Sequence, residues 1–354
     1  MPDYREIVIL GTTTLRTGSE IAAAGLIPEG TAGDIDAVRA TYSVAIPDRV
    51  AALVDPSDPA DPIARQFVPD IRELEAAEDE LADPIGDEAH SPVPGLVHRY
   101  PDRVLLMPTL SCPVYCRYCF RRDRVGRAEG APSAEDMETA FAYIAENPQI
   151  KEVILTGGDP LSLSDRKLGD LLSRLSEFSH LNNLRIHTRV PVVMPDRVTE
   201  GLVGVLTTRL PVWMVLHTNH PRELTKDVAD VCNRLVRGSV PLLSQSVLLK
   251  GVNDNVDTLT ALFRRLVELR VKPYYLHHPD RARGTARFRL TLKEGRELVE
   301  KLRGNISGLC QPTYVVDIPG GYGKTPIAPA DQSVDGSNWS LRNFQGNSHI
   351  YADR

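Results

Sequence analysis

From about residue 103 onward the chain alternates short apolar runs with amphipathic segments, a rhythm that restricts it to an α/β fold built on a parallel sheet. The runs are Val104–Met107, Glu152–Thr156, Leu184–Thr188, Val212–His217, Leu243–Leu249 and Pro273–Leu276. Ala134–Ala145, Asp165–Ser176, Asp196–Leu206, Glu223–Leu235, Val256–Leu269 and Leu292–Leu302 space their apolar residues as helices do. Six such units joined by right-handed crossovers predict a partial (β/α)6 barrel. In such folds the chemistry gathers where loops leave the C-terminal ends of the strands.

Residues 1–97 are rich in Ala, Asp, Glu and Pro, and predict a helical N-terminal extension with stretches such as Asp70–Ala77 broken by Asp-Pro steps. Residues 98–308 hold the predicted barrel, and 309–354 form a C-terminal segment carrying a glycine-rich lysine loop. No apolar stretch approaches the ~20 residues needed to cross a bilayer. The start, Met1-Pro2-Asp3-Tyr4-Arg5-Glu6, has acid and proline where a secretory signal needs a basic start and an apolar run, so the expectation is a cytoplasmic protein without a membrane partner. A formal net charge of −6 argues against a surface built to neutralise nucleic-acid phosphates.

Three of the five cysteines fall in Ser111-Cys112-Pro113-Val114-Tyr115-Cys116-Arg117-Tyr118-Cys119-Phe120, just after the first barrel strand. That is a poor disulfide framework and a good soft-metal site. Three thiolates can hold an iron-sulfur cube and leave one iron open to a small molecule. A structural zinc or buried free thiols are the alternatives; zinc needs a fourth ligand, and neither Cys232 nor Cys310 stands in a second motif pair. The second strand runs into Thr156-Gly157-Gly158-Asp159-Pro160, which by itself is only a turn that admits close backbone approach. Near the C-terminus, Asp317-Ile318-Pro319-Gly320-Gly321-Tyr322-Gly323-Lys324-Thr325-Pro326 first suggests a phosphate-binding P-loop. That reading fails, because Ile318 stands where the pattern needs glycine, and Pro326 and Pro329 stand where its helix should start. A solvated lysine or one that forms a Schiff base remains.

The cysteine spacing, with Tyr118 before the last thiol, resembles the radical S-adenosylmethionine superfamily. Together with Ser91-Pro92-Val93-Pro94-Gly95-Leu96-Val97-His98-Arg99-Tyr100-Pro101-Asp102-Arg103, the Cys116–Arg122 run and the lysine loop, it resembles the lysine 2,3-aminomutases from about residue 40 to Ser340–Phe344. The resemblance implies a [4Fe-4S] cluster on Cys112, Cys116 and Cys119. It also implies S-adenosylmethionine held partly by Gly157, Gly158 and Asp159, and pyridoxal 5′-phosphate on Lys324. Arg99, Tyr100 and Arg103 fall where that family contacts the cofactor phosphate, and Arg121 where it pairs the substrate carboxylate. Asp280 and Asp317 fall where it holds the distal ammonium of lysine, a group that costs several kcal/mol to bury unpaired.

The implied reaction moves an amino group from C2 to C3 of a small-molecule amino acid. A radical removes hydrogen from C3, a carbon no side-chain base could deprotonate, and an electron donor such as flavodoxin or ferredoxin is needed. The two aspartates disfavour glutamate, while arginine also suits carboxylates. His277 stands where many aminomutases carry tyrosine beside the pyridoxal ring. The sequence ends at Arg354 without the zinc-binding cysteines of longer relatives, so no zinc is expected and a homo-oligomer stays open. The branch that isomerises lysine for elongation factor P lacks the Asp-x-Pro-Gly-Gly loop in this form; a non-catalytic iron-sulfur electron-transfer protein would leave that loop without a purpose.

Overall fold

The computed structural model describes residues 13–75, 77–127, 130–327, 332–333, 338–343, 345 and 347–352. Met1–Glu6, Ala76, Pro329 and Phe344 lie outside the described residues. A nine-stranded sheet forms the centre. Its strands are β1 (Leu96–Tyr100), β2 (Arg103–Thr109), β3 (Glu152–Gly157), β4 (Asn183–Thr188), β5 (Val212–His217), β6 (Leu242–Val247), β7 (Lys272–His277), β8 (Thr313–Ile318) and β9 (Gly323–Pro326). Strands β2 to β8 pair in parallel and in sequence order, while β1 and β9 close the two edges antiparallel.

All six expected strands are present, and the sheet adds β8 as a seventh parallel strand. Its apolar centre is only Tyr314-Val315-Val316, and the chain turns back at once into β9 rather than into a helix, so it lacked the βα signature. The sheet curls into a nearly closed barrel. Its edges meet where the Lys324 backbone N–H on β9 donates to the Tyr100 hydroxyl on β1 at 2.7 Å.

Helices α1 (Ala134–Glu146), α2 (Asp165–Ser176), α3 (Glu200–Val205), α4 (Lys226–Arg237), α5 (Val256–Glu268) and α6 (Leu292–Leu302) follow β2 to β7 in turn. Each starts on a hydroxyl or amide cap, from Ser133, Ser164, Thr199, Thr225, Asn255 and Thr291, whose side chain accepts a backbone N–H of the first turn. In α2, Leu168, Leu171, Leu172 and Leu175 are buried at helical spacing, which places one face on the sheet. Helices α3 and α4 begin later than the periodicity suggests. Pro195–Arg197 and Pro221–Glu223 form separate 3-10 turns, because Arg197 is held by the Leu161 and Leu163 carbonyls and Glu223 by Arg189.

The N-terminal region folds as short helices, Gly18–Ala23, Ala32–Thr41, Asp48–Ala51 and Pro62–Phe67, laid against the barrel. The helix expected over Asp70–Ala77 is replaced by one 3-10 turn, Ile71–Leu74. Tertiary charge overrides propensity there: the buried Glu73 carboxylate takes Arg117 at 2.6 Å, Arg287 at 3.1 Å and also Arg122, which an extended helix could not allow. The C-terminal strands Gln332–Ser333, Asn338–Arg342 and Ser348–Ala352 form a separate antiparallel sheet. Among the described residues, no helix is long and apolar enough to cross a membrane.

Candidate active site

The cysteine loop leaves the C-terminal end of β2. It is turned by the Cys119 N–H donating to the Cys116 carbonyl at 3.1 Å. All three thiols are free and partly buried. They lie close enough to act on one another: burial and then the neighbouring Cys116 push Cys119 up to about 11, and burial followed by Asp159 and the other two thiols pushes Cys112 up as well. Among the described residues, no three His, Cys, Asp or Glu side chains are gathered tightly enough for a single metal ion. Thiolates of an iron-sulfur cube each take a different iron, so three mutually repelling soft donors on one loop fit that group, whose positive charge offsets their repulsion.

The glycine turn is pressed against the entry to this loop. Gly158 donates to the Thr109 carbonyl at 2.8 Å, Asp159 N–H to the Ser111 carbonyl at 2.9 Å, and a Cβ on Gly158 would stand 2.4 Å from that same Ser111 oxygen. The Asp159 carboxylate is taken up by the protein itself. It accepts from Leu161 N–H at 3.0 Å, Thr188 Oγ1 at 2.7 Å, and Arg189 and Val190 N–H at 2.7 and 3.2 Å. It therefore ties the ends of β3 and β4 together.

Arg189, at the end of β4, is a residue the sequence did not flag. Its Nη1 lies 3.4 Å from Cys116 Sγ and bonds the Tyr118 hydroxyl, while Nη2 reaches Gln66 Oε1 at 3.0 Å and Glu223 at 2.5 Å. It puts one fixed positive charge beside the thiols.

The lysine loop joins β8 to β9, whose register sets Asp317 directly opposite Lys324. The ammonium of Lys324 pairs with Asp317 and lies 3.4 Å from His277 Nδ1 at the end of β7. Burial would raise the Asp317 carboxyl, but His277 and the Lys324 ammonium outweigh it and hold it well below the usual range. Burial, then the lysine charge, lowers His277, while Asp317 pulls the other way. Asp280, in the loop after β7, is pushed up to about 7 by burial and then by the charge on Asp317. Tyr100 holds the Lys324 backbone, the Arg103 guanidinium stacks 3.8 Å from the Tyr100 ring centre, and Arg99 Nη1 stands 3.8 Å from Asp317.

The two loops share one barrel mouth. The charge of Arg121 is felt by both Cys119 and Asp280, and His217 at the end of β5 bonds Tyr118 at 3.2 Å while sensing His277. Arg121 does not stand free: Asp87 accepts its Nε at 2.9 Å and its Nη2 at 2.7 Å. Glu73, Asp87 and Gln66, all from the N-terminal region, were missed because acids and amides in a polar stretch read as surface; nothing local marks them as buried.

With this geometry in place, the comparisons are direct. Residues 106–262 match the model of the Radical SAM superfamily, which defines the class: an enzyme with a [4Fe-4S] cluster that binds S-adenosylmethionine. Residues 299–354, the lysine loop included, match the model described as Lysine-2,3-aminomutase. The L-lysine 2,3-aminomutase of Clostridium subterminale is 43% identical over 92% of this chain and 77% of its own length; that of Acetoanaerobium sticklandii is 44% identical over 86% and 74%. A glutamate 2,3-aminomutase of Clostridioides difficile is 38% identical over 88% and 74%. The chain belongs to the lysine 2,3-aminomutase family, and it is a radical aminomutase of the isomerase class.

Proposed function

We propose that the substrate is L-lysine, converted to β-lysine (3,6-diaminohexanoate), with pyridoxal phosphate carried on Lys324. The observation that carries the substrate choice is the paired carboxylates of Asp280 and Asp317 beside Lys324. The chain's own lysine ammonium occupies Asp317, so an ammonium of the same chemistry suits the pocket once Lys324 Nζ is engaged by the cofactor. The distal carboxylate of glutamate would add a third negative charge to a pair that already repels, which argues against the substrate named for the Clostridioides relative.

The donors fit pyridoxal phosphate. Arg99 Nε is buried without a partner, its Nη1 makes only a 3.8 Å approach to Asp317, and Tyr100 and Arg103 stand beside it on the barrel edge. When bound, the cluster and S-adenosylmethionine supply the radical that takes hydrogen from C3, and pyridoxal phosphate supplies the carbonyl carbon that holds the migrating nitrogen. The chain contributes position. Arg121 takes the substrate carboxylate, Asp280 and Asp317 take the distal ammonium, and the backbone of Gly157 and Gly158 lines the S-adenosylmethionine side. Fixing both ends of the substrate would hold C3 in one place, and the surrounding barrel would shield it from water. His277 Nδ1, 3.4 Å from Lys324 Nζ, helps to place that nitrogen.

Protein reconstituted anaerobically with iron and sulfide, then given pyridoxal phosphate, reductant, S-adenosylmethionine and lysine, makes β-lysine and leaves glutamate unchanged. A β-amino product from arginine or glutamate in preference to lysine reassigns the substrate; none from any amino acid removes the proposal.

A further inference from the structure

Asp87 stands between the two arginines assigned to different anions. Its Oδ1 accepts Arg99 Nη2 at 3.0 Å, and its Oδ2 accepts Arg121 Nε and Nη2 at 2.9 and 2.7 Å. The carboxylate is buried, with 3% of Asp87 exposed, and both guanidinium groups are buried with it. The pairing with Arg121 is side-on. A guanidinium has two edges that can grip a carboxylate, Nε with Nη2 and Nη1 with Nη2. Asp87 occupies the first, and among the described residues no protein acceptor meets Nη1. The second edge is thereby presented, in one fixed rotation, to an incoming anion.

Asp87 is itself held firmly. Asp83 accepts the backbone N–H groups of Asp87 and Glu88 at 2.9 and 2.8 Å, and Ser91 Oγ donates to the Asp87 carbonyl at 2.8 Å. The preceding Gly86 packs on the lysine loop so tightly that a Cβ there would lie 2.4 Å from the Gly321 nitrogen. His90 Nε2 adds a 3.0 Å contact to the Gly321 carbonyl. The segment that carries Asp87 is thus registered against the same loop that carries Lys324.

The geometry points to Asp87 as a positioning residue for substrate recognition: it fixes the rotation of Arg121 so that its outer edge receives the α-carboxylate, and it locks that arginine to Arg99 of the cofactor-phosphate site. This rests on the roles proposed above for Arg99, Arg121 and Lys324. A buried guanidinium that lost its side-on partner would be free to turn away, at the cost of carboxylate binding alone.

The test uses protein reconstituted with cluster and pyridoxal phosphate, without reductant, and follows the cofactor absorbance as ligand replaces Lys324. The probes are L-lysine and L-lysinamide, which differ only in the carboxylate. In Asp87→Asn the dissociation constant for L-lysine rises about tenfold, while that for L-lysinamide stays within about twofold of wild type. Equal weakening of both ligands, or no weakening of either, overturns the inference and leaves the function standing. If wild-type protein develops no cofactor band on Lys324, the proposed function fails and the inference fails with it. Asp87→Glu, which keeps the charge but displaces it, is held to the same selective criterion should the asparagine variant not fold.

Discussion

The cysteine loop and the lysine loop open on the same barrel mouth but solve opposite electrostatic problems. Around the cysteines, three groups of like character crowd together, and burial with mutual repulsion drives Cys119 up to about 11. Around the lysine, charges alternate in sign along Arg121, Asp87, Arg99, Asp317 and Lys324, each within 4 Å of the next. The first side calls for a group that brings positive charge to the thiols, whereas the second is balanced by the chain itself. Single substitutions can check whether each side is loaded without the other.

The largest effect belongs to Cys119→Ala. With one thiol of three removed, iron retention and turnover are both lost, because no other soft donor of the loop can replace it. The lysine side does not depend on that thiol, so the cofactor absorbance and the circular dichroism spectrum stay as in wild type. Loss of the absorbance band together with the iron would break the comparison.

Lys324→Ala is the reciprocal test. It removes the covalent attachment and lowers turnover by about 10³-fold or more, while iron content stays unchanged. It also strips Asp317 of one of the two groups that hold it down, so its carboxyl rises toward the ordinary range while His277 still opposes burial. Carbonyl-region infrared difference spectra across pH 3 to 7 would register that protonation; an Asp317 that stays ionised would show that Arg99 and His277 suffice to balance it.

The same contrast explains what could be read from the chain. The cysteine triplet is local: three residues in one loop carry their chemistry in their spacing, and the glycine turn that packs on them follows the next strand. The barrel strands were legible because each run is apolar and bounded by capped helices. The balance of the lysine side is not local. Asp87 and Arg121 are 34 residues apart, so the partner comes from an N-terminal region whose acids look solvated until the fold buries them, and Glu73, 44 residues from Arg117 of the cysteine loop, is hidden in the same way. The Asp70–Ala77 helix failed for that reason, since its propensity was outweighed by three arginines reaching one carboxylate. Arg189 was hidden differently, as a single basic residue after a strand, with nothing in the sequence to say that Cys116 would lie beneath it.

One member of the lysine side is left out of the alternation, and it gives the smallest expected effect. Asp280 is pushed from 3.8 to about 7, by burial and then by Asp317, with Lys324 and Arg121 only partly countering the shift. Between those two values the folded chain binds more protons than the unfolded one, so stability falls as pH rises from about 4 to about 7 and is level above that. Asp280→Asn removes the penalty. The variant should match wild type near pH 4.5 and unfold a few degrees higher at pH 8, a gap of about 1–3 kcal/mol after allowance for the solvent that still reaches this half-buried group. Holoprotein with saturating L-lysine sharpens the point: an ammonium beside Asp280 favours its charged form, so lysine should narrow the gap at pH 8 and leave it unchanged at pH 4.5. Thermal unfolding of both proteins with and without lysine checks this. A gap that ignores the ligand would mean that the unbalanced carboxylate is not where the distal ammonium binds.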